Sequence, residues 1–413
     1  MKKILKFIED KLGYILVVPA LIFILAFSII PIAESLKYSF FDFQLNSQQK
    51  SGIYFTEHYN VTLATETFEY VDYYLATELD VVEKSKTVEQ IATFRTEMIS
   101  KEEEMMKLLE TDEGIIKVSD NDLELIYQIN QWVYDGLEMI YSNDEPFVLE
   151  EDIFLVASEL DTSIIKPNFI GFDNFKNVFL DLRVRYALII TLVFTVASVS
   201  LELVLGLMVA LIMNTAIKGR GMIRTLSLIP WAIPTSVAAL IWAYLYNGSN
   251  GIVALLFEKM HFIGASTDLM LTANGALISI IIADVWKTTP YMALLLLAGL
   301  QIIPRNLYEA SAIDGAGKIK SFFKITLPLL KPSILVALLF RTLDAFRIFD
   351  LIYLLTGGGP GGKTESISIY AYKMMFAQTR FGYGSALALG MAVVVALIAY
   401  FYIKVLEVEL ISD

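Results

Sequence analysis

Arg341, Asp344, Arg347 and Asp350 recur every third residue within an otherwise apolar stretch of this 413-residue chain. On a helix, side chains three and four residues apart are neighbours, so this spacing predicts Arg–Asp pairing along one face. An isolated charge at the centre of a bilayer costs at least ~2.5–3.5 kcal/mol on insertion scales, so such residues must face protein or water. Two chemistries fit Arg341 and Asp344. One is a polar strip offering guanidinium and carboxylate partners to the hydroxyls of a solute; the other is an ion-pair ladder between spans or subunits. For Arg347 and Asp350, nearer the outer end of the stretch, the structural role fits better. Trp242 and Trp286 are the aromatic candidates for stacking on a sugar ring, with packing as the alternative. Glu202 is a further acid in an apolar run, without an evident partner.

A second chemical candidate fails on context. Gly357-Gly358-Gly359-Pro360-Gly361-Gly362-Lys363-Thr364 satisfies the expression G-x-x-x-x-G-K-T. A phosphate-cradling loop needs a strand before it and a helix whose N-terminal amides meet the phosphate after it. Here an apolar, helix-length stretch precedes it, so we read it as a Gly-rich turn at a helix end. We expect no ATP, Mg or other cofactor to be held by this chain. There is no cysteine, hence no disulfide and no thiolate chemistry. His58 and His261 stand apart from other metal-ligand types, so no metal set and no catalytic residue is identified.

The elements that must carry these residues are apolar helices. The chain is 56% hydrophobic with a mean hydropathy of +0.58, against roughly 45–50% apolar residues in soluble domains. Six stretches, 14–33, 187–213, 226–246, 276–300, 332–355 and 383–404, reach the ~20 residues that a spanning helix requires. The first follows Lys2, Lys3, Lys6 and Lys11. It is too long for a signal-peptide core and lacks a small-x-small cleavage site, so it reads as an uncleaved span. With six spans, the basic residues concentrate in the N-terminus, 214–225, 301–331 and the C-terminal end. The positive-inside rule then predicts both termini inside. Lys166, Lys176, Arg183 and Arg185 blur that contrast.

The overall charge of −13 conceals a boundary. Segment 44–165 carries roughly −20 and the remainder roughly +7, as a membrane core with basic inside loops would. The acidic segment therefore reads as a separate, mainly helical domain of about 120 residues outside the membrane. Thr87-x-x-Gln90 has the form of a capping box, followed by Ile91, Phe94, Met98, Met105 and Leu109 at helical spacing. A second helix begins near Ser119, with Leu123, Ile126, Ile129, Trp132 or Val133, Leu137 and Ile140 on one face, and Gly114 lies between the two. Segment 52–75, rich in Tyr, Phe, Thr and Val, reads as extended.

Between the fourth and fifth spans, Glu309-Ala310-Ser311-Ala312-Ile313-Asp314-Gly315-Ala316 is followed by Phe322, Ile325, Leu327 and Pro328. This resembles the EAA loop of ABC-importer permeases, in which E-A-A-x-x-D-G-A is followed by L-P; only Ser311 departs, standing where the pattern has Ala. Phe169-Ile170-Gly171-Phe172-Asp173-Asn174-Phe175, Pro230-Trp231-Ala232-Ile233-Pro234, Trp286-Lys287-Thr288-Thr289-Pro290 and Thr356-Gly357-Gly358-Gly359-Pro360 are similar to the carbohydrate, or MalF-type, branch of that family. The resemblance covers residues 12–43 and 167–405 and leaves the insert unmatched.

The resemblance implies an all-α polytopic membrane protein with six transmembrane helices of the MalF-type permease fold. Its parts would be 1–43 (N-terminal segment and first helix), 44–165 (acidic extracytoplasmic insert) and 166–413 (permease core, with a coupling loop at 304–328). Within that loop, Glu309, Ala310, Ser311, Asp314, Gly315, Ala316, Leu327 and Pro328 would engage an ATPase through two short angled helices. It further implies a non-enzymatic subunit of an importer for a sugar or oligosaccharide in a bacterial cytoplasmic membrane. Its partners would be a second homologous permease, two ATP-binding subunits using ATP and Mg, an extracytoplasmic solute-binding protein and the lipid bilayer, with no nucleic acid. Glycerol phosphate or a polyol is the alternative solute. A membrane receptor with an outside sensor domain is the rival class; it calls for a cytoplasmic output domain, but the inside segments are short.

Overall fold

The computed structural model describes residues 14, 16–111, 113–215 and 219–412. Lys2, Lys3, Lys6 and Lys11, and the N-terminal orientation built on them, lie outside the described residues, as does Lys218. The chain divides into two compact units, Met1–Asn174 with Thr379–Gly382, and Phe175–Gln378 with Tyr383–Asp413.

In the first unit, helix α1 (Leu16–Tyr38) is long and apolar enough to cross a membrane. The insert that follows has its own core. Strands β1 (His58–Asn60), β2 (Ile115–Lys117) and β3 (Ile164–Ile165) form an antiparallel sheet in the order β2-β1-β3, with Tyr59 opposite Ile116 and Ile164. Against it pack helices α2 (Val61–Glu78), α3 (Ser85–Leu109) and α4 (Asp120–Tyr141), then the short α5 (Glu150–Ala157).

Segment 52–75 is therefore not extended beyond β1. Val61, Ala64, Phe68, Val71 and Leu75 are buried at alternating three- and four-residue steps, so helical burial overrides the β-prone composition. The Asn60 side chain starts α2 by accepting from the Leu63 amide at 3.2 Å. The expected capping box at Thr87–Gln90 is also displaced. Lys84 is the N-cap of α3, leaving Thr87 inside the first turn and buried. The reciprocal box is at Ser119 and Asp122, where α4 begins. Buried Glu78 accepts from the Val148 and Leu149 amides at the N-terminus of α5, satisfying amides that no helical carbonyl reaches.

Glu102 of α3 is half-buried, and burial together with Glu69, Asp72 and Glu103 pushes its carboxyl up to about 7. A carboxyl whose folded pKa is raised favours the fold only while protonated. Its contribution is complete below the ordinary 4.5 and is lost as pH rises through about 7. Lowering the pH from about 8 to about 5 should increase amide protection in α3, after correction for intrinsic exchange rates. Glu102→Gln should flatten that dependence. An equally steep profile in the variant would discard this assignment.

The second unit is built on four long helices: α6 (Leu182–Asn214), α7 (Ala273–Ile302), α8 (Lys318–Phe346) and α9 (Phe381–Ser412). Helices α6 and α7 approach closely at Gly206, where a Cβ would come within 2.7 Å of Met292. Phe194, Ile280, Leu296, Leu330 and Ala345 form the core around them.

Two of the six expected spans differ from continuous helices. Segment 226–246 is broken by Pro230 and Pro234 into short pieces. Its longest helix, Thr235–Leu245, rises only about 16 Å, short of a ~30 Å hydrocarbon core. The fifth expected span, 332–355, begins earlier, at Lys318, and stops at Phe346. The chain leaves the helix at Arg347–Phe349 and resumes at Asp350–Thr356. Five helices are thus long and apolar enough to cross a membrane among the described residues. The Gly-rich segment 357–364 follows that last short helix, not a strand, and its Thr364 hydroxyl lies 2.6 Å from the Gly359 carbonyl.

Candidate functional site

Three charges, each on a different apolar helix, meet in the second unit. Arg341 of α8 is 1% exposed. Its Nε lies 2.5 Å from Glu202 Oε2 on α6, and its Nη2 lies 2.8 Å from Glu202 Oε1. Nη2 is also 3.2 Å from Asp284 Oδ2 on α7, and Nη1 is 2.6 Å from Asp344 Oδ2, one turn along α8. Thr288 Oγ1 is 2.7 Å from Glu202 Oε1, and Ser198 Oγ sits between Glu202 and Asp284. A planar guanidinium with five donors makes all four of these carboxylate bonds, whereas an ammonium has only three donors. Glu202 therefore has a partner that the sequence reading did not assign. The signal was available: lone acids and a lone base at matching depths in apolar spans pair across them.

The expected strip of four charges on one helix does not form. Arg347 caps the end of α8, its Nε bonding the Leu343 carbonyl at 3.1 Å, and Asp350 opens the next helix. The break nevertheless returns both to the same place. Asp284, Lys287, Arg341, Asp344, Arg347 and Asp350 all line one cavity of about 400 Å³. Arg341 and Asp284 form its buried wall, whereas the Asp344 side chain is 67% exposed. Trp242 and Trp286 do not line this cavity. They meet edge-on, with ring centroids 5.6 Å apart, and Trp242 belongs to the core. The aromatics at the cavity are Phe349 and Trp231, the latter stacked on Tyr291 at 5.6 Å. The Pro230 break sets the position of Trp231, so helical periodicity gave no warning of it.

The second site is the short connection at 304–328. Pro304 precedes helix Arg305–Ile313, which ends in a Schellman motif. The Ala316 amide bonds the Ser311 carbonyl at 2.9 Å and the Gly315 amide bonds the Ala312 carbonyl at 3.1 Å, with Gly315 at φ +75°. Glu309, Ala310 and Asp314 are exposed, as are the apolar Ile313, Ile319 and Phe323. The expected second short helix is not separate. Lys318–Ser321 is the first turn of α8 and leads through a π-turn, Phe322–Thr326, into the rest of that helix. Leu327 and Pro328 follow the π-turn inside the helix, where Pro328 offers no amide to the ladder.

Residues 202–408 match the family model described as "Binding-protein-dependent transport system inner membrane component". The chain is 46% identical over 255 residues to the trehalose/maltose transport system permease protein MalF of Thermococcus litoralis, covering 61% of this chain and 85% of that one. It is 44% identical to the trehalose transport system permease protein SugA of Mycobacterium tuberculosis, covering 59% and 77%. The sulfoquinovosyl glycerol permease SmoG of Agrobacterium fabrum is 40% identical, covering 60% and 80%. Among solved structures, a bacterial ABC transporter involved in import of the acidic polysaccharide alginate shares the fold, with a TM-score of 0.52 at 23% identity, covering 69% of this chain and 93% of that one.

Proposed function

We propose, for a chain that belongs to the family of binding-protein-dependent transport system inner membrane components, the role of membrane-spanning subunit in an ATP-driven sugar importer. The observation that carries the mechanism is a continuous helix. From Lys318, at the base of the 304–328 protrusion, α8 runs through the π-turn and past Pro328 and Pro332 to Arg341 and Asp344 at the cavity, helical throughout. At 1.5 Å per residue that is about 35 Å of helical connection. A displacement imposed on the protrusion by an ATPase subunit reaches the solute cavity as a movement of the same rod.

The cavity suits an uncharged polyhydroxy solute. Its acids Asp284, Asp344 and Asp350 balance Lys287, Arg341 and Arg347, and the guanidinium of Arg341 is already occupied by carboxylates. Relatives named for trehalose and maltose transport support the same class, and a receptor reading finds no support among them. In this scheme ATP and Mg are used by two separate subunits, a second permease completes the pathway, and a binding protein delivers solute from outside, where the 44–165 insert lies. Alternating access follows as ATP closes the ATPase pair and hydrolysis releases it.

The test is ATP hydrolysis by the assembled complex in lipid, with its binding protein and a panel of trehalose, maltose and glycerol 3-phosphate. Stimulation by a neutral disaccharide is the expected result. Stimulation by glycerol 3-phosphate alone would overturn the assignment of an uncharged solute, and indifference to the whole panel would overturn the sugar class.

A further inference from the structure

We propose that two hydroxyl clasps turn the 304–328 protrusion into a rigid lever, with Ser311 and Tyr308 as positioning residues for coupling. The inference rests on the importer reading above. Ser311 Oγ lies 2.8 Å from Ser321 Oγ, and Tyr308 Oη lies 3.0 Å from Thr326 Oγ1. Tyr308 and Ser311 are three residues apart, so they share one face of helix Arg305–Ile313. Ser321 and Thr326 are five apart, and on a regular α-helix they would point roughly 140° away from each other. The π-turn between them, closed by the Leu327 amide on the Phe322 carbonyl, widens the helix there and brings both to the side that meets Tyr308 and Ser311.

Apart from the Schellman bonds, the connection that these clasps bridge is weakly braced. Gly315 and Gly317 have open space where a Cβ would stand, and Asp314 is exposed. Load applied to the exposed face at Glu309 and Ile313 would bend this link before it moved α8. The clasps brace it at both ends of the π-turn, and Thr326 is itself buried. A small side chain at 311 satisfies packing; the hydroxyl adds the bond.

The chain contains no cysteine, so a Ser311→Cys, Ser321→Cys variant of the assembled complex carries a defined thiol pair in this subunit. Ser321→Ala with Thr326→Val, which removes both clasps from the α8 side, should keep ATP hydrolysis but lower trehalose or maltose transported per ATP by about thirtyfold, the equivalent of two net hydrogen bonds. Ser311→Thr should retain the native ratio. The oxidised cysteine pair should restore that ratio, and dithiothreitol should bring it down again. A native ratio in the double variant, or a cysteine pair indifferent to oxidation state, would overturn the lever. If no sugar stimulates the native complex, the importer reading fails separately. The clasp is then judged by disulfide closure in the intact complex: ready closure upholds it, and thiols that stay free under mild oxidant overturn it.

Discussion

Arg341→Leu is expected to destabilise the second unit by about 3–5 kcal/mol, because it strands Glu202 and Asp284 as buried charges without a counter-ion. Glu202 is fully buried and Asp284 is 6% exposed, so water can take over from the guanidinium only on the cavity side of Asp284. The measurement is the unfolding midpoint in detergent, compared across a double-mutant cycle. Glu202→Leu in the same chain should recover a large part of the loss, since replacing both partners by apolar groups removes the desolvation cost together with the attraction. Arg341→Lys should rescue poorly: one ammonium cannot donate to Glu202 along two parallel bonds and reach Asp284 and Asp344 as well. An Arg341→Leu chain that unfolds at the native midpoint would show that the cluster does not hold α6, α7 and α8 together.

Glu309→Lys is expected to separate stability from function. Glu309 is exposed, and no hydrogen bond or ion pair to its side chain is seen among the described residues. Substitution should therefore change the chain's own stability by no more than ~0.5 kcal/mol. In a contact with an ATPase subunit the same change reverses a charge, which costs at least about 2 kcal/mol, or roughly 30-fold. Solute-stimulated ATP hydrolysis should fall by that factor or more while the unfolding midpoint stays in place. The reversal also extends a basic run already set by Arg305, Lys318, Lys320 and Lys324. Native turnover in the variant would remove Glu309 from the coupling surface, and a matching loss of stability would assign it to the fold instead.

Legibility differed from element to element. The core face of α4 was readable because Ile126, Ile129, Val133, Leu137 and Ile140 follow one period, and all are buried. Helix α2 was misread because Val, Thr, Tyr and Phe satisfy a strand as well as a buried helix, and only packing against α3 decides between them. The 226–246 segment reached spanning length by composition, yet Pro230 and Pro234 interrupt it, and counting apolar residues does not register that. The candidate site shows the same division. Arg341 and Asp344 pair as their spacing predicts, while Arg347 and Asp350 reach the cavity by a break in the helix rather than by its continuation.

The sequence by itself determined the class of this protein, a bundle of apolar helices with an acidic helical insert and a short protrusion of EAA type. Composition, charge distribution and motif spacing are local or summed properties, and one-dimensional order preserves them. Which charges meet was decided only by tertiary structure. Glu202 and Asp284 stand 139 and 57 residues before Arg341, on three different helices. Helix rotation and crossing set their depth and facing, and no periodicity along one chain segment encodes those quantities. The same holds for the two clasps: a π-turn of one extra residue rotates Ser321 and Thr326 onto Ser311 and Tyr308, and that rotation exists only in the folded chain.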